Sequence, residues 1–104
     1  MLKSNVGWIA REAMKTVDIK NLKVGNHFYD VITDPVYGQH LGNEFEQHTC
    51  ELMHCFSAPA ACFDVGANIG MTTLLMSELF TEVYSFEPVP STFSILKENV
   101  ERNK

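Results

Sequence analysis

A chain of 104 residues holds one small domain with a core, and a composition 45% apolar and 20% charged, with six glycines and four prolines, excludes wholesale disorder. Thirteen acidic residues against eight basic ones leave a net charge of −5, so the chain cannot supply the phosphate neutralisation on which nucleic-acid binding rests, and small molecules are the expected substrates. Three cysteines without framework spacing point to a reducing compartment, and no signal-type or bilayer-length apolar run is present, so the expectation is a cytoplasmic protein with no membrane partner.

In chain order, Val6, Ile9, Ala10, Ala13 and Val17 recur at helical spacing and predict an amphipathic helix over residues 4 to 17. The segment NHFYDVITDPVYGQHLG is aromatic and β-branched, and Asp34-Pro35, Gly38 and Gly42 interrupt it, which predicts short strands around a turn. From Asn43 to about Cys55 the pattern is helical, with Phe45, Leu52 and Phe56 on one stripe flanked by His48 and Cys55; Ser57-Ala58-Pro59 ends it. ACFDV then predicts a buried strand, GANIG a turn, MTTLLMSELF a helix, EVYSFE a second strand, PVP a break, and STFSILKENVERN a helix with Phe93, Leu96 and Val100 on one face. Strand, glycine loop, helix, strand, helix is the opening of a doubly wound α/β sheet with parallel strands. Residues 1–42 read as an N-terminal helix with short strands, on the substrate side or as a cover, and residues 43–104 as the front of a cofactor-binding domain.

The loop FDVGANIG carries the chemistry. Asp64 lies at the carboxyl end of the first strand, the edge where open parallel sheets bind ligands. Gly66 turns the chain, and Gly70 lets the next helix start close against the strand and a ligand. Glu87 follows about twenty residues on, at the end of the second strand, where a carboxylate accepts from two ribose hydroxyls; Pro88 stiffens the chain behind it. Asn68 stands where a dinucleotide loop has a glycine that lets backbone approach a pyrophosphate, and its side chain crowds that space. S-adenosylmethionine has no phosphates. Its cationic end suits Asp64, and its carboxylate suits the backbone N–H groups at a helix start.

Residues 62–103 resemble the start of an FkbM-type methyltransferase domain, through DVGANIG, the strand ending in FEP, and the following helix with Phe93, Leu96, Asn99 and Asn103. The resemblance implies a Rossmann-like class I methyltransferase fold with S-adenosyl-L-methionine as cofactor. It implies O-methyl transfer to a small molecule or sugar, and Asp64, Gly66, Ala67, Asn68, Gly70 and Glu87 as the cofactor site. The family places a helix with an acidic residue near its start before the first strand, which makes Glu46 a candidate for the methionine end. Two strand–helix units fall short of such a domain, so the expectation is the N-terminal portion of a longer enzyme, lacking the acceptor site.

Other residues carry weaker signals. Asp64 alone fits a turn-capping aspartate, and Glu87 alone a solvated strand end. His48, Cys50, His54 and Cys55 are metal-ligand types in one stretch, but one helix points them in several directions, so no metal site is expected. Tyr29, Tyr37 and Phe28 fit either a substrate entrance or half-buried strand positions. His27 and His40 precede the cofactor region, and no residue is assigned as a catalytic base. Two rival readings share part of the pattern: an NAD(P)-binding Rossmann oxidoreductase fragment, and a non-catalytic truncated binding module. Oligomeric state is not specified.

Overall fold

The computed structural model describes residues 15–104. Most of the helix expected over residues 4 to 17 lies outside that range, but its end does not: Val17 opens a strand, β1 (Val17–Val24), paired antiparallel with β2 (His27–Thr33). The register runs from Val17 opposite Thr33 to Val24 opposite His27, with an irregularity between Ile19 and Leu22. There Asn21 adopts a positive φ of 53° and its N–H donates to the Asp30 carboxylate at 3.0 Å. Past this bulge, alternation places Leu22 and Val24 fully inside.

The expected turn at Asp34-Pro35 is instead the start of a helix, α1 (Pro35–Leu41). Asp34 Oδ1 accepts from the N–H groups of Val36 and Tyr37 at 3.0 and 2.9 Å, and Pro35 occupies the first turn, where its missing N–H costs nothing. The next helix, α2 (Gln47–Met53), is shorter than expected and passes into a 3₁₀ turn, His54–Phe56. The predicted stripe does not hold. Phe45 is buried but precedes the helix, Leu52 and Phe56 are 62% and 60% exposed, and His48 and Cys55 lie in solvent; Cys50 is the residue turned inward.

The second half follows the expected order: β3 (Ala58–Val65), α3 (Met71–Leu79), β4 (Phe80–Phe86) and α4 (Pro90–Arg102). β3 and β4 are parallel, with Asp64 opposite Ser85 and Val65 opposite Phe86. Among the described residues the architecture is thus a small α/β one of two two-stranded sheets and four helices. The face that α4 buries is Ile95, Leu96 and Asn99, with Phe93 and Val100 at its margin rather than its centre.

One core joins the pieces: Leu22, Val24, Val31 and Ile32 from the hairpin pack with Ile69, Met71, Leu74, Leu75, Leu79 and Ile95. α3 contacts the hairpin and the parallel pair alike, so it is covered on two sides, and its leucines are buried around a wide arc. α4 meets β2 through two asparagines one turn apart. Asn99, fully buried, accepts from Ile32 N–H at 2.7 Å and donates to the carbonyls of Ile32 and Ile69 at 2.9 and 2.8 Å. Asn103 accepts from Asp30 N–H at 3.2 Å and donates to Asp30 O at 2.9 Å. Four helical residues rise about 6 Å and two strand residues about 6.7 Å, so the two side chains match alternate rungs of the strand. β3 is not the buried strand expected: within ACFDV only Asp64 is buried, and the other face of the parallel pair carries Phe63, Val65, Tyr84 and Phe86 exposed, with the Phe63 ring 5.6 Å from that of Tyr84.

Candidate cofactor site at the glycine loop

β3 ends at Val65 and the chain turns back at once to start α3. Gly66 has φ 79°, and the N–H groups of Gly66 and Ala67 both donate to Phe86 O, at 2.9 and 3.0 Å, which locks the loop onto the end of β4. A side-chain carbon at Gly66 would meet no atom within 4 Å, so its side of the loop is open. Gly70, with φ 98°, is closed in: an added carbon would lie 2.6 Å from Leu96 Cδ1. The close approach that demands a glycine at position 70 is therefore made by α4.

The two carboxylates expected at the site end neighbouring, paired strands, but they are used differently. Asp64 is only 6% exposed and faces the helical layer. Its Oδ2 accepts from the Thr73 hydroxyl at 2.7 Å, and Thr73 Oγ1 lies 2.8 Å from Ser85 Oγ. Glu87 is half-exposed and spans the loop: Oε2 accepts from Asn68 N–H at 2.9 Å and Oε1 from Val89 N–H at 3.0 Å. That grip holds Asn68 at φ 52°, in the left-handed region that asparagine tolerates. Each carboxylate oxygen has two acceptor positions, so Glu87 retains capacity for hydroxyl donors. Ala67 is buried beneath the loop and accepts from Gly70 N–H at 3.0 Å. The loop thus spends the N–H groups of Gly66, Ala67, Asn68 and Gly70 internally, and beyond Gly70 the first turn of α3 presents N–H groups that have no partner within the helix.

Glu46 lies at the start of α2 with φ 29°, and its carboxylate accepts from Thr49 Oγ1 at 3.0 Å. Tyr37 belongs to α1 rather than to a strand, Phe28 projects into solvent, and Tyr29 donates to Glu78 Oε1 at 2.9 Å. Sequence reasoning missed that glutamate. Glu78, its side chain 6% exposed, also lies 2.9 Å from His27 Nδ1 and 3.8 Å from His54 Nε2, and it pins the β1–β2 turn to the end of α3. A cleft of about 380 Å³ bordered by Ser57, Pro59, Glu78 and Thr81 lies near it, at the amino-terminal end of the parallel pair and away from the glycine loop. Glu78 carried no signal in the sequence, since its partners lie more than twenty residues away. Among the described residues no group of three or more His, Cys, Asp or Glu side chains is placed to hold a metal ion, and no helix is long and apolar enough to cross a membrane.

Comparison of the chain with protein-family models, with curated proteins and with solved structures finds no match.

Proposed function

We propose that this chain forms the cofactor-binding front of an S-adenosyl-L-methionine-dependent methyltransferase of the FkbM type, acting by O-methyl transfer on a small molecule or sugar. The observation that carries the reading is the parallel β3–α3–β4 unit with a closed glycine loop between its first two elements and one carboxylate at the carboxyl end of each strand. A doubly wound sheet binds its ligand at that edge.

The spent N–H groups of the loop favour this cofactor over a dinucleotide. A pyrophosphate needs backbone donors pointed at it, and here those donors are committed to Phe86 O and Glu87. The adenosyl cofactor needs no such cradle. Its ribose hydroxyls donate to Glu87, its ammonium faces Asp64, and its carboxylate meets the first turn of α3. The open side of Gly66 is where the ligand lies. Methyl transfer is a displacement at carbon, so these residues contribute alignment and electrostatic matching to the sulfonium.

Thermal-shift titration of the chain with S-adenosylhomocysteine and with NADH tests the assignment. Protection by S-adenosylhomocysteine is expected, reduced in Glu87→Gln by about 1–3 kcal/mol of binding free energy as one charged acceptor becomes an amide. Protection by NADH alone would assign the loop to an oxidoreductase, and no response to either would leave a non-catalytic binding module.

A further inference from the structure

The geometry points to Thr73 as the positioning residue of Asp64, the last link of a directed chain from Ser85 through Thr73 to the carboxylate that fixes it to receive a cationic donor, the ammonium of the cofactor's amino-acid end. The inference rests on the methyltransferase reading for the identity of that donor, and on the structure for the chain itself. Thr73 Oγ1 lies 2.7 Å from Asp64 Oδ2 and 2.8 Å from Ser85 Oγ. An ionised carboxylate only accepts, and a hydroxyl has one proton. The Thr73 proton is therefore committed to Asp64, and the Ser85 hydroxyl must donate to Thr73.

Three elements converge to build this chain. Asp64 and Ser85 are register partners across β3 and β4, and Thr73 descends on both from the first turn of α3. Asp64 and Thr73 are 6% and 7% exposed, so neither is held by solvent. The bond at Oδ2 together with the burial of Asp64 restrains the carboxylate and orients its second oxygen. A carboxylate held in this way rejects a phosphate and accepts an ammonium.

Two measurements separate the positioning role from the cofactor assignment. In the ligand-free chain, side-chain scalar couplings should report a single Asp64 χ1 rotamer in the wild type and in Thr73→Ser, and rotamer averaging in Thr73→Val. A single rotamer in Thr73→Val overturns the inference. Where the valine variant does not fold, Thr73→Cys keeps a similar volume with a weak S–H donor and should show the same averaging. For binding, Thr73→Val should weaken S-adenosylhomocysteine at least about tenfold while adenosine, which lacks the amino-acid end, changes less than about twofold; Ser85→Ala, which leaves the Thr73–Asp64 bond in place, should weaken S-adenosylhomocysteine less than Thr73→Val does. Equal losses for both ligands would mean that Thr73 only supports the fold. A wild-type chain that binds neither ligand refutes the methyltransferase reading, and the rotamer result then decides the positioning role alone.

Discussion

Replacing Asn99 with alanine removes the three hydrogen bonds that join α4 to β2 and to the glycine loop. The side chain is fully buried, so Ile32 N–H, Ile32 O and Ile69 O lose their partner where water does not readily replace it. Each orphaned buried group costs about 1–3 kcal/mol. Partial relaxation around the smaller side chain brings the sum to roughly 3–5 kcal/mol, a large share of the ~5–15 kcal/mol by which a domain is stable. With a urea dependence of about 1–3 kcal/mol per molar, the unfolding midpoint should fall by at least about 1 M. Asn99→Asp is the sharper control. It keeps the volume and the acceptor for Ile32 N–H, but places a carboxylate against two carbonyl oxygens, so its loss should match or exceed that of alanine. Equilibrium urea unfolding followed by circular dichroism reads both. A midpoint shift below about 0.5 M for either variant would refute the assignment of Asn99 as the tie between helix, strand and loop.

Gly70→Ala should destabilise by about 2–4 kcal/mol, since a positive φ and a Leu96 methyl at 2.6 Å act together, whereas Gly66→Ala has only the φ to overcome, about 1–2 kcal/mol; thermal unfolding that ranks them the other way would contradict the packing described. Burial first, and then its bond to Glu78, pushes the Tyr29 phenol up from its ordinary 10.0, so its contribution to stability is complete below pH 10 and is lost as the pH rises further. The urea midpoint should therefore decline above pH 10, and less in Tyr29→Phe; identical alkaline profiles would count against the bond. The Asn21 N–H foremost, with Lys20 and Arg102 nearby, holds the Asp30 carboxyl below its ordinary 3.8, so the bulge contact is present above that value and is lost as the pH falls below it. The Asn21 amide resonance should titrate with a midpoint under 3.8, and a midpoint at or above that value would remove the bond as the cause.

The parallel half of the fold was legible because its signals are local. An apolar run, a glycine loop and a helical stretch each announce themselves within ten residues, and β3, α3, β4 and α4 fall close to where those patterns place them, although the burial expected of the first strand is not found. The N-terminal half was not, for reasons that differ by element. Helical spacing through Val17 concealed the start of β1, and the bulge at Asn21 broke the alternation that Leu22 and Val24 resume. Asp34-Pro35 is equally a turn and a capped helix start, and only Tyr37 and Val36 donating to Asp34 decide between them. Phe56 left the expected stripe because the helix tightens to a 3₁₀ turn after Met53, which shifts the phase of later side chains, whereas Leu52 lies within the regular helix on the side away from the buried Cys50. At the site, the loop and both carboxylates were readable from spacing. Their partners were not: Thr73 and Ser85 lie nine and twenty-one positions beyond Asp64 and meet it only once β3, α3 and β4 have packed.

Asn99 and Asn103 also decide how this protein can be enlarged. By occupying both polar groups of Asp30 and of Ile32, α4 closes the β2 margin of the antiparallel ribbon at these residues against any incoming backbone, its own or another's. A further strand therefore cannot enlist beside β2 at these residues, so insertions or fused segments meant to widen a sheet belong on another edge.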